Sequence, residues 1–403
     1  MSTSVTPFRI LCAAGLFAIF SSTISKSPVL PLFAAHLGAD PSGVGFVASV
    51  SAFTGVIASI PAGILADRFG KRWMLVLSSL IFATAPPLYL FVHEIWQLAL
   101  VRFYHGFATA IFLPVGMALV SDLFHKERGE KMGWFSTATL LGRFAAPAVG
   151  GAVLSALAMD AASRYPAVYV VCGAAGAATL VLALLIPKAS GQESPKQDWG
   201  ESWAAFRAVL STRAIVVTSA VEASILFAYG TFETFLPLHA ASLGISAYQI
   251  GIFLSAQVIT LALSKPFMGR FSDRHGREPQ IFFGALLAAL CIAAFSVATS
   301  FFNLLCLSII LGLCLSVVTS ATSARIADRS SREGRGAAMG MLGSIMDIGH
   351  TTGPLVAGIV AARFGFGWSF FAAALVLSAL AAAFLLHAGR TAIFGGQRDA
   401  GPR

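Results

Sequence analysis

The sequence predicts an all-α polytopic membrane protein with twelve transmembrane helices arranged as two related six-helix bundles. Three observations support this prediction. The 403-residue chain is 57% hydrophobic and only 11% charged, whereas soluble domains carry about 25% charged residues. Its apolar residues form runs long enough to cross a hydrocarbon layer of about 30 Å. Motifs of the first half also return in the second half, 206 residues later.

Twelve apolar runs, called spans 1 to 12 in chain order, are predicted to be helices. No water is present at membrane depth, so each run must satisfy its own backbone hydrogen bonds. The first run is too long and too polar near its middle for a cleaved signal peptide. The spans cover residues 9–35, 43–66, 73–92, 95–122, 132–158, 165–187, 214–241, 248–271, 280–300, 302–327, 337–361 and 367–388.

The distribution of Lys and Arg predicts how the chain is oriented, because these residues concentrate on cytoplasmic loops. With a cytoplasmic N-terminus, 21 of the 27 Lys and Arg residues fall on cytoplasmic segments, and only Arg164 and Arg363 face outward. We therefore expect a multi-pass protein of the cell (inner) membrane with both termini cytoplasmic. The net charge of +9 then reflects topology and headgroup contact, and no nucleic acid partner is expected.

A polar segment separates spans 6 and 7. Residues 188–212 are rich in Gly, Ser, Pro and Gln, a composition typical of solvent-exposed chain. Their tryptophans favour an amphipathic stretch on the membrane surface. We expect an N-terminal bundle over residues 1–187, a cytoplasmic linker over residues 188–212, and a C-terminal bundle with a short tail over residues 213–403.

The loop after span 2 carries a charged motif that recurs after span 8. An acid at such a helix end can pair with basic residues or face a helix N-terminus. If the contact exists in one conformation only, it biases the equilibrium between two states. This gating interpretation is favoured for the acid, whereas the cations could serve only as topology anchors. The motif residues are Gly63, Asp67, Arg68, Gly70, Lys71 and Arg72, then Gly269, Asp273, Arg274, Gly276 and Arg277.

Spans 5 and 11 share a pattern of small residues and proline. Small residues let helices approach closely. Packing alone could account for any single glycine, but the recurrence of the whole pattern favours a shared mechanical role. The pattern comprises Gly142, Pro147, Gly150 and Gly151 in span 5, and Gly349, Gly353 and Pro354 in span 11.

These motifs together resemble those of the major facilitator superfamily, and the resemblance covers the whole chain. It rests on the duplicated loop motif, the R-x-x-x-G of Arg102 and Gly106, and the span 5 pattern. That pattern resembles the drug:proton antiporter branch, with Ala146 where glycine is usual. The resemblance implies a monomeric exporter of a small organic compound. It also implies a cavity lined by spans 1, 4, 7 and 10, with spans 5 and 8, and 2 and 11, meeting between the halves.

Ionisable groups inside spans are candidates for function, because each costs at least about 2.5 kcal/mol at a helix centre. Glu222 and Glu233 are eleven residues apart in span 7 and so share a helix face. Burial favours a neutral carboxyl, as a proton carrier needs. Glu233 could instead pair with Lys26, and Glu222 could reach a wet vestibule. The candidates for proton coupling or the substrate cavity are Lys26, Arg102, Tyr104, Glu222, Tyr229 and Glu233.

A second group of charges lies in spans 5 and 11. Asp347 and His350 are three residues apart on one side of span 11, and His350 aligns with Arg143 of span 5. These three residues could form a switchable network or a fixed ion pair. By the resemblance, Arg102 would assist proton coupling.

The polar middle of span 1 departs from the branch, whose members often carry an acid there. This chain has Lys26, and with Arg102 and Arg143 it favours an anionic or polyhydroxylated substrate. Export or exchange of a sugar or organic anion is therefore the alternative, and a non-transporting sensor or assembly partner is a rival of another class. No nucleophile–base group, phosphate loop or metal-ligand spacing occurs, so we expect no enzyme activity, cofactor or metal.

Overall fold

The computed structural model describes residues 5–124, 127–156, 161–187, 212–329 and 335–389. These residues form thirteen α-helices and no strand. Nearly all of the predicted linker lies outside this described part. The helices are α1 (Val5–Ile24), α2 (Val29–His36), α3 (Pro41–Phe69), α4 (Lys71–Tyr89), α5 (Ile95–Leu123), α6 (Arg128–Ala156), α7 (Ala161–Leu185), α8 (Arg213–Ser242), α9 (Ala247–His275), α10 (Arg277–Ala294), α11 (Phe301–Arg329), α12 (Arg335–Phe364) and α13 (Phe366–Ala388).

The helices follow the predicted spans: α1 with α2 forms span 1, and α3 to α13 are spans 2 to 12. Within the described residues, eleven helical segments are long and apolar enough to cross a membrane. Span 3, the helix α4, is not among them. It begins with Lys71 and Arg72 and contains Pro86 and Pro87, and these residues lower its hydropathy. The all-α polytopic membrane fold is confirmed.

Span 1 differs from the prediction of one continuous helix. A turn over residues 25–28 separates α1 from α2. The Thr23 carbonyl accepts from the amides of both Lys26 and Ser27, at 3.0 and 2.9 Å, and the bond from Lys26 spans three residues instead of four, as in a tighter turn. Pro28, which has no amide hydrogen, completes the turn. The polar middle of span 1 is therefore a break in the helix.

Contacts between Cα atoms divide the chain into two compact units, Met1–Gln197 with Leu236–Ser255, and Asp198–Phe235 with Ala256–Arg403. In the first unit α4 packs on α5 and α7, and α1 packs on α6 and α7. In the second unit α10 packs on α11 and α13, and α12 packs on α13. Span 3 thus packs on spans 4 and 6 as span 9 packs on spans 10 and 12.

Close helix contacts recur at the same offset as the sequence motifs. A Cβ on Gly106 of α5 would collide with Thr54 of α3. A Cβ on Gly312 of α11 would collide with the Gln257 carbonyl and crowd Thr260 of α9. Both glycines and both threonines are 206 residues apart. The two halves therefore use the same packing between spans 2 and 4 and between spans 8 and 10.

The turns that end helices repeat in the same way. Gly38 and Gly244 have φ values of 86° and 78°, and Gly70 and Gly276 have φ values of 92° and 93°. This left-handed region is open to glycine without steric cost. Gly70 and Gly276 therefore allow the sharp reversals between α3 and α4 and between α9 and α10.

Candidate functional site

Arg102 of α5 is a buried cation whose partners are hydroxyl groups. The residue is only 4% exposed. Nη1 donates to Ser25 Oγ at 3.2 Å and to Tyr89 Oη at 3.3 Å, and Nη2 donates to Ser51 Oγ at 2.8 Å. Nε has no hydrogen-bond partner among the described residues, and Arg102 takes part in none of their ion pairs. A buried charge without a counter-ion is costly, so this site would attract an anionic group.

Aromatic rings hold the hydroxyl of Tyr89 against Arg102. Tyr89 stacks on Tyr169 with a centroid distance of 4.2 Å. Its hydroxyl also lies 3.3 Å from Nδ1 of buried His105, one turn along α5 from Arg102. Phe82 packs edge-on against the imidazole. The guanidinium therefore sits in a rigid polar pocket between spans 1 to 4.

Tyr104 and Lys26 occupy different surroundings. Tyr104 Oη lies 2.8 Å from Thr84 Oγ1 of α4, and the structure does not bring it to Arg102, because residues two apart point to different sides of a helix. Lys26 is half-buried in the turn between α1 and α2. It follows Ser25, the residue that accepts from Arg102.

The second unit brings Glu233, His350 and Tyr229 together. Glu233 of α8 is 8% exposed, and its Oε2 lies 3.0 Å from His350 Nε2 of α12. Tyr229, one turn earlier on α8, stacks on the imidazole with centroids 5.5 Å apart. The sequence predicts a network of His350 with Asp347 and Arg143. Arg143 is exposed and has no ion pair with any described residue.

Small residues allow this contact between α8 and α12. A Cβ on Gly353 would collide with the Phe227 carbonyl, and a Cβ on Gly349 would collide with the backbone of α8. Gly230 of α8 in turn lies close to His350 and Pro354. The span 11 glycines thus bring the two backbones close enough for His350 to reach Glu233.

The corresponding residues of span 5 also face backbone. Gly142 and Gly150 face span 1, and Gly151 and Pro147 face the first turns of α9, which belong to the first unit. The start of span 8 therefore contacts span 5 within the first unit, and the expected meeting of spans 2 and 11 stays a prediction. The nearest partners are Leu16 for Gly142, Ile24 for Gly150, Ala247 for Gly151 and Gly251 for Pro147.

Glu222 has surroundings unlike those of Glu233. It is fully buried, and its Oε2 lies in hydrogen-bond contact with Thr322 Oγ1 of α11. Oε1 has no partner among the described residues. Lys265 of α9 interacts with Glu222 electrostatically. The two acids of α8 therefore face different neighbours, Glu222 toward α11 and Glu233 toward α12.

Arg325 is a structural charge that the sequence analysis missed by counting it among the cytoplasmic cations. It is 4% exposed, and its Nε lies 3.0 Å from Glu278 Oε1. It also donates to Thr218 Oγ1 and lies over the Phe384 ring. The available signal was Glu278, an acid at the position where the first copy of the motif has Arg72.

The two loop motifs form equivalent ion pairs. Lys71 Nζ lies 2.5 Å from Asp122 Oδ2, and Arg277 Nε lies 3.2 Å from Asp328 Oδ2. All four residues correspond at the offset of 206. Arg277 also pairs with Asp273 at 2.6 Å. These pairs tie span 3 to span 4 and span 9 to span 10.

The remaining motif residues divide into contact-forming and exposed groups. Arg72 donates to the Ile186 and Leu184 carbonyls at 2.5 and 3.1 Å, at the C-terminus of α7. Arg68 and Arg274 are exposed, and a Cβ on Gly269 would meet nothing within 4 Å. Gly63 and Asp67 belong to α3, but the surroundings of their side chains lie outside the described part. The gating role of Asp67 therefore stays a prediction.

Comparison with known proteins identifies the family. The Major Facilitator Superfamily profile matches residues 11–252 and 220–393. An uncharacterized MFS-type transporter of Methanocaldococcus jannaschii is 24% identical over 89% of both chains. The multidrug resistance protein MdtG of Serratia proteamaculans is 26% identical, with 87% of this chain and 86% of that protein covered. A PmrA multi-drug resistance efflux pump homolog of Lactococcus lactis is 23% identical, with 91% and 90% covered.

Solved structures agree in fold. A bacterial homolog of the human lysosomal transporter Spinster, inward-facing and unoccupied, superposes with a TM-score of 0.81 at 16% identity, covering 99% of this chain and 100% of that one. The nucleoside transporter NupG gives a TM-score of 0.78 at 17% identity, with 96% and 99% covered. The chain therefore belongs to the Major Facilitator Superfamily and is a multi-pass membrane transporter of a small molecule, not an enzyme.

Proposed function

We propose that this transporter exports a small organic compound from the cell by alternating access, with protons moving in the opposite direction. Relatives named as multidrug resistance proteins support export. The span 5 pattern, which resembles the drug:proton antiporter branch, supports the same direction and the same coupling ion. Under this proposal the protein works as a monomer.

The observation that carries the coupling is the pair of buried carboxyls on α8. Glu222 and Glu233 are both at most 8% exposed, and buried ionisable groups inside spans mark ion and substrate pathways. Glu233 has a titratable partner, His350, at 3.0 Å. A carboxyl can be protonated in one conformation and paired with a cation in the other. Proton movement is then linked to the change between the two conformations.

The loop motifs supply the gating element of this proposal. The Lys71–Asp122 and Arg277–Asp328 pairs hold neighbouring helices as units that move together. Asp67 is then the residue whose contacts differ between the two states. We expect Asp67→Asn to lose most of the flux without losing expression, measured as labelled-substrate export from vesicles. Full flux in this variant would remove the gating role.

A second candidate function is export or exchange of an organic anion or sugar. It is favoured by Arg102, a buried guanidinium with hydroxyl partners, and by Lys26 in the break of span 1. If anionic compounds are the substrates, Lys26→Ala should fold normally yet lose their transport. Unchanged transport of anions by Lys26→Ala would count against this candidate.

The orientation and domain division are also part of the proposal. The distribution of Lys and Arg supports a cytoplasmic location for both termini and for the linker over residues 188–212. A protease added to sealed inside-out vesicles should therefore cleave the linker and release two bundles. Cleavage in right-side-out vesicles instead would reverse the assignment.

The proposal is tested with purified protein in liposomes carrying a proton gradient and a lumenal pH dye. Cationic drugs, sugars and organic anions are added in turn. A compound that collapses the gradient only when protein is present supports proton coupling and names the substrate class. If labelled compounds cross without moving protons, the coupling is wrong. If folded protein transports none of them, export is wrong for these classes.

A further inference from the structure

We propose that Glu222 is the acid that carries the coupling proton, and that it is protonated in the conformation described, where it contacts Thr322 between α8 and α11. The inference rests on the proposed function and assigns its ion site. It also distinguishes Glu222 from Glu233, the second acid of span 7, as the carrier of the proton.

The hydrogen bonds of the Thr322 hydroxyl require a proton on Glu222. A threonine hydroxyl has a single hydrogen to donate and can also accept. Thr322 Oγ1 lies 2.9 Å from the Val318 carbonyl and also contacts Glu222 Oε2. Both contacts are hydrogen bonds only if a second hydrogen is present, and a protonated Glu222 supplies it. Glu222 then donates to Thr322, and Thr322 donates to Val318.

The other oxygen of the Glu222 carboxyl also favours the protonated form. Glu222 is 0% exposed, and Oε1 has no hydrogen-bond partner among the described residues. An ionised carboxylate buried with a single hydroxyl partner is far costlier than a neutral acid, and such groups take up a proton instead. The same pattern is tolerable for the carbonyl oxygen of a carboxylic acid.

Three helices near Glu222 carry charged or titratable groups. On α12, which contacts α8 at Ala223 through Gly349, these are Asp347 and His350, and His350 lies against Glu233. On α11, Arg325 is already paired with Glu278 of α10, at 3.0 Å. On α9, Lys265 interacts electrostatically with Glu222, is exposed, and forms no ion pair with a described carboxylate. Lys265 is thus the cation available to Glu222 when the proton leaves for water. Proton loss then turns a neutral acid beside a cation into an ion pair.

Spare hydroxyls lie next to this site. Ser219 on α8 and Thr319 on α11 are each one helical turn from Glu222 and Thr322, and both hydroxyls are buried without a partner among the described residues. These two hydroxyls could therefore form hydrogen bonds with a water molecule that enters the site or that takes up the departing proton. Glu233 offers a contrast, because its carboxylate already faces His350 at 3.0 Å.

Infrared difference spectroscopy of the full-length protein in lipid tests the protonation directly. At neutral pH the wild type should show a carboxylic acid C=O band that Glu222→Gln removes. Glu233→Gln, on the same helix, should retain that band. Thr322→Val should shift it, because the hydrogen-bond partner is lost. A spectrum unchanged by Glu222→Gln would overturn the inference. Loss of the band on addition of sodium at constant pH would also overturn the inference, because the site would then bind sodium.

Transport assays separate this inference from the function on which it rests. In proteoliposomes Glu222→Gln should lose uphill transport by at least about tenfold while keeping substrate exchange, because exchange needs no proton release. If the wild type itself moves no protons, the proposed function fails. If the wild type couples and Glu222→Gln couples equally, only the assignment to Glu222 fails.

Discussion

The two halves of the chain agree in their packing and differ in their buried charges. At an offset of 206 residues, Gly106 corresponds to Gly312 in a close helix contact. The Lys71–Asp122 pair likewise corresponds to Arg277–Asp328. The helix-ending glycines with positive φ also match. The mechanical scaffold is therefore present twice.

The charges inside the spans are present once. At the same offset Arg102 corresponds to Ser308, Glu222 to Leu16, Glu233 to Ser27 and Arg325 to Leu119. Because an ionisable group inside the membrane is expensive, each half keeps such a group only where it is used. We propose that Arg102, Glu222 and Glu233 serve transport, whereas Arg325, which pairs with Glu278, is a structural charge.

The largest expected effect comes from a charge that has no counterpart in the first half. Arg325→Met leaves Glu278, whose side chain is 22% exposed, without its partner, and breaking a fully buried pair costs about 3–5 kcal/mol, which is the upper bound here. Thermal unfolding in detergent should show a large loss of stability. Arg325→Met with Glu278→Gln should regain most of it. A double variant as unstable as the single one would show that packing, not charge, makes Arg325 essential.

The duplicated glycines should respond alike. Gly106→Ala and Gly312→Ala each place a Cβ against a neighbouring helix, and overpacking of this kind costs about 1–3 kcal/mol. Gly133→Ala, where a Cβ meets nothing within 4 Å, is the control and should be neutral or stabilising. Thermal unfolding measures all three. A cost at one of the two duplicated positions only would break the symmetry of the scaffold.

Arg102 and Ser308 should respond differently although they occupy equivalent positions. Arg102→Lys keeps the charge but cannot reproduce the three hydroxyl contacts. We expect transport to fall about tenfold, since a hydrogen bond to a charged group contributes about 1.5–3 kcal/mol. Ser308→Ala should keep full transport, because its hydroxyl bonds only the Leu304 carbonyl among the described residues. Equal losses would argue against a special role for Arg102.

The smallest effect is expected at the loop ion pairs. Asp122→Asn and Asp328→Asn should each cost at most about 1 kcal/mol, as partly exposed pairs do. The Asp122 side chain is 34% exposed and that of Asp328 is 59% exposed, so the first variant should lose more stability. Unfolding at low and high salt should show the losses shrinking with salt. The reverse ranking would show that burial does not set the strength of these pairs.

Most of the fold could be predicted because membrane burial and duplication both leave local signals. Runs of apolar residues predict the spans, and the repeat predicts the two halves. The break at residues 25–28 was not predicted, because serines and a proline inside an apolar run also fit a continuous helix. Span 3 was predicted to be a helix and is one, although its charged start and its prolines keep it out of the eleven described segments that are apolar enough to cross a membrane.

The candidate site was predictable as a set of residues but not as pairs. Glu233 and His350 are 117 residues apart, and only the packing of α8 on α12 brings them together. Glu222 and Thr322 meet across 100 residues, and threonine inside an apolar helix gives no signal of its own. The sequence does not distinguish Arg325 from a topology-setting cation, because both occur at helix ends that are predicted to be cytoplasmic.

The central claim is that this transporter couples export to protons. The most direct measurement takes a compound that collapses the gradient and follows its transport in proteoliposomes with and without an imposed pH gradient. We predict accumulation above equilibrium only when the gradient is present, and reversed movement when the gradient is reversed. Equilibration at the same rate and to the same level in every condition would contradict proton coupling and leave passive transport.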